Sequence, residues 1–313
     1  MRVLVTGGAG FIGSHIVDAL LASGHEVGVL DDLSTGRRDN VARDAVFFEC
    51  DLKNADRTRA VVSDFRPDTV CHQAAQASVA ISMRDPRRDA EVNVLGGINL
   101  LDACTAPRSG VSRVVFASTG GAIYGEVPEG TRADEHTPPR PASPYAIHKL
   151  AFEQLLSVYR TRGVLTTVLR YANVYGPRQD PHGEAGVVAI FFDAARSGAR
   201  PRVNARKVAG DAGCVRDYVY VSDVARANLL SLEGKVEEPV LNIGTGRATT
   251  TLDLARSVLR QVGREVAIDS GPPRIGDLEC SVLDATLSVR YLGAPVSLEE
   301  GLEHTGKFYA SRP

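Results

Sequence analysis

The sequence predicts an α/β protein: a doubly wound, mostly parallel sheet with helices on both faces, followed by a smaller α/β domain that binds substrate. Short β-branched apolar runs alternate with helix-length segments through the first half, the pattern of consecutive βαβ units. The first run ends in a glycine cluster, "VLVTGGAGFIG", where such a sheet passes into its first helix. The length of 313 residues exceeds what one core usually serves, so a second domain is expected.

Strand one is read at "RVLVT", with Gly7, Gly10 and Gly13 at its junction with a helix expected from about Ser14. Glycines there turn the chain tightly, let backbone N–H groups approach a pyrophosphate and let helix and strand pack closely, although the spacing GxxGxxG departs from the usual GxGxxG and alone reads equally as a plain glycine-rich turn. Together with the acidic end of strand two it places a Rossmann-type dinucleotide-binding domain at residues 1–172. Strand two, "EVGVLD", ends in Asp31 and Asp32, about 20 residues further on. A carboxylate there accepts from adenosine ribose hydroxyls and repels a 2′-phosphate, so NAD is expected over NADP. Asp31 is the preferred ribose partner, since Asp32 also reads as a solvated turn residue.

Strand three, "AVFFEC", leads to Asp51, which reads equally as an adenine contact and as a strand-end cap. Strand four, "TVCHQAA", brings the small Ala74 and Ala75 to its carboxyl end, where a cofactor passes closely, while His72 reads as a satisfied core histidine. Strand five, "RVVFAS", runs into Ser118 and Thr119 and then Gly120 and Gly121. In the helix "SPYAIHKLAFEQLLSVY", Pro144 suits the first turn after Ser143, and Tyr145 and Lys149 share one face. An ammonium beside a phenol favours phenolate and lowers its pKa from about 10, which makes Tyr145 a general acid/base candidate.

Strand six, "LTTVLRY", precedes a Gly/Pro-rich loop, "NVYGPRQDPHGEAG", which places the second domain at 173–313. "VLNIGTG" reads as one more buried strand, so segments near 216–245 are expected to return to the first domain. "TTLDLARSVLRQVG" reads as an amphipathic helix opened by Thr and closed by Gly263.

Composition narrows the function classes. With 43% hydrophobic and 24% charged residues and a formal net charge of -2, the chain has no basic footprint for nucleic acid. Cys50, Cys71, Cys104, Cys214 and Cys280 are scattered and odd in number, which suggests neither a disulfide framework nor a metal site. "MRVLVTGG" is too short an apolar run for a signal or a membrane span, so a cytoplasmic protein is expected.

In order along the chain, "TGGAGFIGS", "DDLSTG", "DL" at 51–52, "HQAA", "ASTGGAIYG", "SPYAIHK", "LRYANVYGPRQ", "VRDYVYVSDVA", "NIGTG" and "RIGDLE" resemble the extended short-chain dehydrogenase/reductases. Within that family the set is similar to the nucleotide-sugar 4-epimerases of the UDP-glucose/UDP-galactose type, over nearly the whole chain. The resemblance implies a catalytic pair of Tyr145 and Lys149, with Lys149 also holding the nicotinamide ribose. It further implies that Thr119 bridges Tyr145 and the sugar 4-hydroxyl, with Ser118 as second choice. Many relatives carry that hydroxyl four residues before the residue equivalent to Tyr124, where this chain has Gly120; Thr119 lies five before. Tightly bound NAD is implied, held also by Phe11, Ile12, Ser34, Leu52, Asn93, Ser118 and Tyr171.

For the UDP-sugar, the resemblance implies Asn173 at the sugar diphosphate, Arg216 and Arg274 in the phosphate and uridine-ribose region, Asp277 at the ribose hydroxyls, and the backbone of Val187 and Val188 at the uracil. Arg178 and Arg206 read equally as anion contacts and as solvated loop charges. Ser281 stands where restrictive relatives put a large aromatic, which leaves room for an N-acetyl group.

The implied reaction is reversible inversion at the sugar's 4-carbon through a 4-keto sugar, with NAD regenerated each turnover. A UDP-glucuronate 4-epimerase shares this scaffold, as do dehydratases and decarboxylases. The latter two carry carboxylates directly after the catalytic Thr, where this chain has Gly120 and Gly121. A non-catalytic NAD-sensing protein would be expected to lose Tyr145 or Lys149. Apolar positions beyond one stripe on "PRRDAEVNVLGGINLLDAC" and "SPYAIHKLAFEQLLSVY" suit a homodimer through a four-helix bundle, as the family resemblance implies.

Overall fold

In the computed structural model, which describes residues 1–181, 186–274 and 276–311, the runs read as strands form one seven-stranded sheet. Its order is Val240–Ile243, Leu165–Tyr171, Arg113–Thr119, Thr69–His72, Arg2–Thr6, Glu26–Asp31 and Val46–Glu49. The expected doubly wound parallel α/β sheet is the architecture found. Val3, Leu4, Val5, Val70, Val114 and Val115 are all buried, as strands covered on both faces must be.

The order reverses beside Arg2–Thr6, whose last residue pairs with Leu30 on one side and His72 on the other. Successive crossovers part to opposite faces there, leaving a crevice at the carboxyl ends of the strands. Gly7 and the turn Gln73–Gln76 stand at that switch point.

The first helix, Phe11–Ala22, opens three residues earlier than expected. Gly10, in an extended conformation, is its N-cap, so Gly13 lies inside the first turn. Ser143 caps the helix Pro144–Arg160 through the Ala146 N–H at 3.3 Å, with Pro144 in the first turn as expected. Between the helices Pro86–Ala90 and Gly97–Thr105 the backbone widens into a π-helical turn, Glu91–Gly96, which carries Asn93.

The chain divides into two units, and the division is discontinuous. The first comprises Met1–Thr119, Ser143–Arg170 and Val224–Leu241, and the second Gly120–Ala142, Tyr171–Asp223 and Asn242–Pro313. In the second unit, part of the expected loop 173–186 is a strand, Asn173–Tyr175, paired in parallel with Tyr218–Tyr220. Residues 182–185 of that loop lie outside the described residues. Val215–Arg216 lies between Thr249–Thr250 and Cys280–Ser281 in a small sheet. No described helix is long and apolar enough to cross a membrane.

Candidate active site

In the first unit the glycine cluster is built for close approach. Gly7 has φ +69°, and a Cβ there would lie 2.7 Å from the Ala74 nitrogen. A Cβ on Gly13 would lie 2.1 Å from the Gly7 carbonyl oxygen, so the helix meets the strand at backbone contact distance. The N-cap Gly10 and the half-buried Phe11 and Ile12 complete a helix start with no side-chain cap. That bare cradle fits a dinucleotide's pyrophosphate.

Asp31, at the end of its strand, accepts from the Ala9 N–H at 3.0 Å and the Leu33 N–H at 2.9 Å, one on each oxygen. Burial pushes its carboxyl above the usual range, against the pull of those two donors. Each oxygen keeps a further lone pair for a ribose hydroxyl. Asp32 is exposed and folds onto Ser34, accepting from its N–H at 3.0 Å and its hydroxyl at 2.6 Å. Asp51 likewise caps a turn, through the Lys53 N–H at 2.9 Å, while the buried Leu52 gives its carbonyl to Asn99 at 2.8 Å.

His72 is buried, 2.7 Å from the Thr6 hydroxyl through Nδ1, and lies against Phe116 and Phe152. Burial pushes it down to about 3, so it is a neutral core residue. Thr6 also accepts from the Ala74 N–H at 3.2 Å, which fixes the half-buried Ala74 and Ala75 at the switch point. Asn93 spends its amide on the backbone of Gln76: Nδ2 donates to the carbonyl at 2.9 Å and Oδ1 accepts from the N–H at 3.0 Å. Its observed role is to hold the turn that follows strand Thr69–His72.

The helix Pro144–Arg160 brings Tyr145 and Lys149 together, with Nζ 5.9 Å from the phenol ring centroid. Lys149 is buried, donates to the Ala117 carbonyl at 3.0 Å and stands 4.8 Å from the Phe116 ring centroid. Burial pushes the ammonium down to about 8, and Asp89 and Glu153 pull it back up. Thr119 closes its strand and is 9% exposed. Ser118 is committed elsewhere: its hydroxyl donates to Glu153 at 2.5 Å. Glu153 in turn takes two bonds from Arg170, at 3.1 and 2.6 Å.

In the second unit, the glycines that follow Thr119 adjoin the residues expected at the sugar nucleotide. A Cβ on Gly121 would lie 2.9 Å from Asn173 Oδ1, and Ser281 donates its hydroxyl to the Gly121 carbonyl at 3.1 Å. Arg216 donates to two carbonyls, Val215 at 2.9 Å and Leu278 at 2.6 Å. Arg274 faces Asn204, whose amide oxygen, in the orientation that hydrogen bonding requires, accepts from Nε at 2.5 Å and Nη2 at 3.0 Å. Asp277 is exposed, three residues on. Val187 and Val188 open the helix Val187–Ser197 behind Gly186, and Tyr171 is buried. Arg206 pairs with Glu129 at 3.1 Å, which favours its reading as a structural charge.

Three groups escaped the reading of the sequence. Glu153 lies four residues beyond Lys149 and eight beyond Tyr145, so the helical spacing that singled out the pair extends to it. The wholly buried Asp89 had no such signal. Nor had Asp217, which holds Thr245 through its N–H at 2.9 Å and its hydroxyl at 2.6 Å, and Gly246 through its N–H at 3.0 Å.

Residues 3–244 match the profile of the NAD dependent epimerase/dehydratase family. The chain is similar to UDP-glucose 4-epimerase of Mycolicibacterium smegmatis, 44% identical with 100% of this chain and 99% of the relative covered. Its structure resembles that of Thermus thermophilus UDP-glucose 4-epimerase in complex with NAD, with a TM-score of 0.95, 54% identity and 99% of both chains covered. It also resembles Thermotoga maritima UDP-glucose 4-epimerase with UDP-glucose, with a TM-score of 0.91, 47% identity and 99% of both chains covered.

The cradle makes a direct prediction. Gly13→Ala forces a methyl against the Gly7 carbonyl, with an expected cost of about 1–3 kcal/mol and loss of the bound dinucleotide. Nucleotide released on acid denaturation of the purified variant measures it; stoichiometric nucleotide in a variant of unchanged stability would refute the cradle.

Proposed function

The chain belongs to the NAD dependent epimerase/dehydratase family, and from that premise we infer that it is an isomerase interconverting UDP-glucose and UDP-galactose at the 4-carbon with NAD as cofactor. One observation carries the reading: a buried lysine behind a tyrosine on one helix face, at the end of a glycine-cradled sheet, with glycine at both positions after Thr119. Elimination of water or carbon dioxide from the sugar calls for further acid and base groups, whereas inversion needs only one proton transfer and a reversible hydride transfer.

Gly7, Gly10, Phe11, Ile12 and Gly13 would hold the pyrophosphate of NAD, and Asp31 the adenosine ribose. Bound there, NAD would supply a reversible hydride acceptor for the sugar's 4-carbon. Tyr145 takes the 4-hydroxyl proton through its phenolate oxygen and gives it back to the inverted centre. Thr119, the last residue of its strand, would relay that proton. The Lys149 ammonium stabilises the phenolate, and its depressed pKa makes this contribution complete well below pH 8 and lost as pH rises through about 8.

Asn173 and Arg216 would bind the diphosphate, and Arg274 with Asp277 the uridine ribose. The small Ser281, where restrictive relatives carry a large aromatic, supports UDP-N-acetylglucosamine as a further substrate of the same site. Met83, Leu95 and Ile147 are each about half exposed, and the segments of Met83 and Leu95 both pack against the helix Pro144–Arg160 that carries Ile147, which supports a homodimer through a four-helix bundle. Five cysteines without a disulfide fit the reducing cytoplasm.

Replacing Tyr145 by Phe is expected to lower kcat for UDP-galactose formation by about 100-fold or more while NAD stays bound. An unchanged rate would sink the catalytic assignment. Wild-type protein is expected to epimerise UDP-N-acetylglucosamine, and Ser281→Tyr to lose that activity while keeping UDP-glucose; no wild-type turnover of the N-acetyl sugar contradicts the Ser281 reading. Sedimentation at micromolar concentration is expected to give a dimer, and a monomer after Ile147→Glu with Leu95→Glu, whereas a monomeric wild type excludes the bundle.

A further inference from the structure

Ala9 lies between two glycines of the cradle, and both of its peptide groups are bound. It is wholly buried; its N–H donates to Asp31 Oδ2 at 3.0 Å, and its carbonyl accepts from the Arg37 N–H and from the Asn40 amide Nδ2, each at 3.0 Å. Both lone pairs of that carbonyl are therefore taken. The Gly10 N–H, in the same peptide plane, donates to the Gly7 carbonyl at 3.1 Å. The peptide that enters the N-cap is thus held at both ends, and with it the direction of the uncapped N–H groups that open the helix Phe11–Ala22.

The segment that supplies those donors follows directly on the strand Glu26–Asp31. Leu33 takes φ +57° and donates its N–H to Asp31 Oδ1 at 2.9 Å. Gly36 then crosses so closely that a Cβ on it would lie 2.7 Å from Asp31 Oδ1 and 3.0 Å from the Ala9 Cβ. Beyond it, the Val41 N–H closes the turn Arg38–Asn40 on the Arg38 carbonyl at 3.1 Å. The buried Val41, and the Arg38 guanidinium 4.5 Å from the Phe47 ring centroid, seat that turn on the strand Val46–Glu49. Asp31, Ala9 and residues 33–40 therefore form one closed ring of bonds, in which Asp31 and the half-buried Asn40 supply the side-chain links.

We propose that Asn40 is a positioning residue for the cofactor: by holding the Ala9 carbonyl it locks the adenosine-ribose partner Asp31 to the pyrophosphate cradle, and so keeps the dinucleotide resident through turnover. This rests on the chain holding NAD at that cradle, as inferred above. A dinucleotide spans both places, and when their relative position is fixed beforehand little ordering remains to be done on binding. Freed from Asn40, Ala9 keeps only the Arg37 N–H on its carbonyl, and the loop and the strand end gain independent motion. Loosening of that kind shows chiefly as faster dissociation. A cofactor that is regenerated within each turnover has no need to leave, so slow release costs the reaction nothing.

The test follows the nucleotide rather than the sugar. Protein produced in ¹⁵N medium carries labelled NAD, which is chased with excess unlabelled NAD, released with acid and weighed by mass spectrometry. Wild-type protein is expected to keep its label long after the chase begins. Asn40→Asp keeps the shape but turns only acceptors towards the Ala9 carbonyl, and is expected to lose the label about tenfold faster or more. Gly36→Ala, whose methyl falls on Asp31 Oδ1, is expected to do the same. Should the Asp variant not fold, Asn40→Ala, which removes the donor and adds no charge, is read in its place. Label kept by the Asn40 variant as long as by wild type, with a lowered melting temperature as the only effect, overturns the proposal, because a turn that merely stabilises the fold gives that result. A wild type that carries no nucleotide, or exchanges it as fast as the variants, overturns it too, and leaves the epimerase inference to the Tyr145→Phe assay run with added NAD.

Discussion

An ammonium group taken out of water is the constraint on which the Tyr145–Lys149 end of the first unit depends. Lys149 is 3% exposed, and its Nζ lies against a carbonyl and an aromatic face. A cation in such a place persists only if opposite charge and hydrogen-bond acceptors are arranged around it in advance. The helix Pro144–Arg160 therefore cannot be positioned by its apolar stripe alone. It is pinned through Glu153 to Ser118 and Arg170, and through His148 to Asp89. Breaking a buried pair such as Glu153 with Arg170 typically costs about 3–5 kcal/mol, enough to matter against ordinary domain stability. The same contacts hold the helix that carries Tyr145, so charge burial and the placement of the proposed catalytic phenol have one cause.

A second constraint acts at the switch point. The first helix meets its strand with Gly13 over the Gly7 carbonyl, and Gly7 meets the Ala74 nitrogen, so three backbone segments touch with no side chain between them. Thr6 supports this contact from inside, taking the Ala74 N–H while its hydroxyl meets His72. A histidine kept neutral by burial is a suitable partner there, since an imidazolium would sit near Lys149 and repel it.

Much of this was legible in the sequence because it is local. Strand runs, the glycine spacing, the acidic strand end at Asp31 and the four-residue separation of Tyr145 and Lys149 each occupy one short window. The start of the first helix was missed by three residues because Gly13 looks like a breaker, whereas its missing side chain is what the packing requires. Asn93, expected near the cofactor, spends its amide on the backbone of Gln76, seventeen positions away. Ser118 and Glu153 lie thirty-five apart, and Asp89 and His148 fifty-nine apart. Pairings of that separation leave no periodic trace, and a buried Asp in "PRRDAEV" looks the same in sequence as a solvated one. The segment Gly120–Ala142 belongs to the second unit although it directly follows a central strand, because its partners, among them Ser281 and Asn242, come from the end of the chain.

The glycine pair after Thr119 shows how chemistry and packing restrict each other. Gly121 lacks the carboxylate that related dehydratases carry, and it has no room for one: its Cα already faces the Asn173 amide. Its carbonyl is taken by Ser281, which is itself on a strand paired with Val215–Arg216. A side chain at 121 would displace Asn173 and pull on Ser281, and so disturb the residues expected to hold the diphosphate and to size the sugar pocket. Moving this chain towards elimination chemistry would therefore require coordinated change at Gly121, Asn173 and Ser281, so the bare glycines are fixed by their neighbours as much as by the reaction.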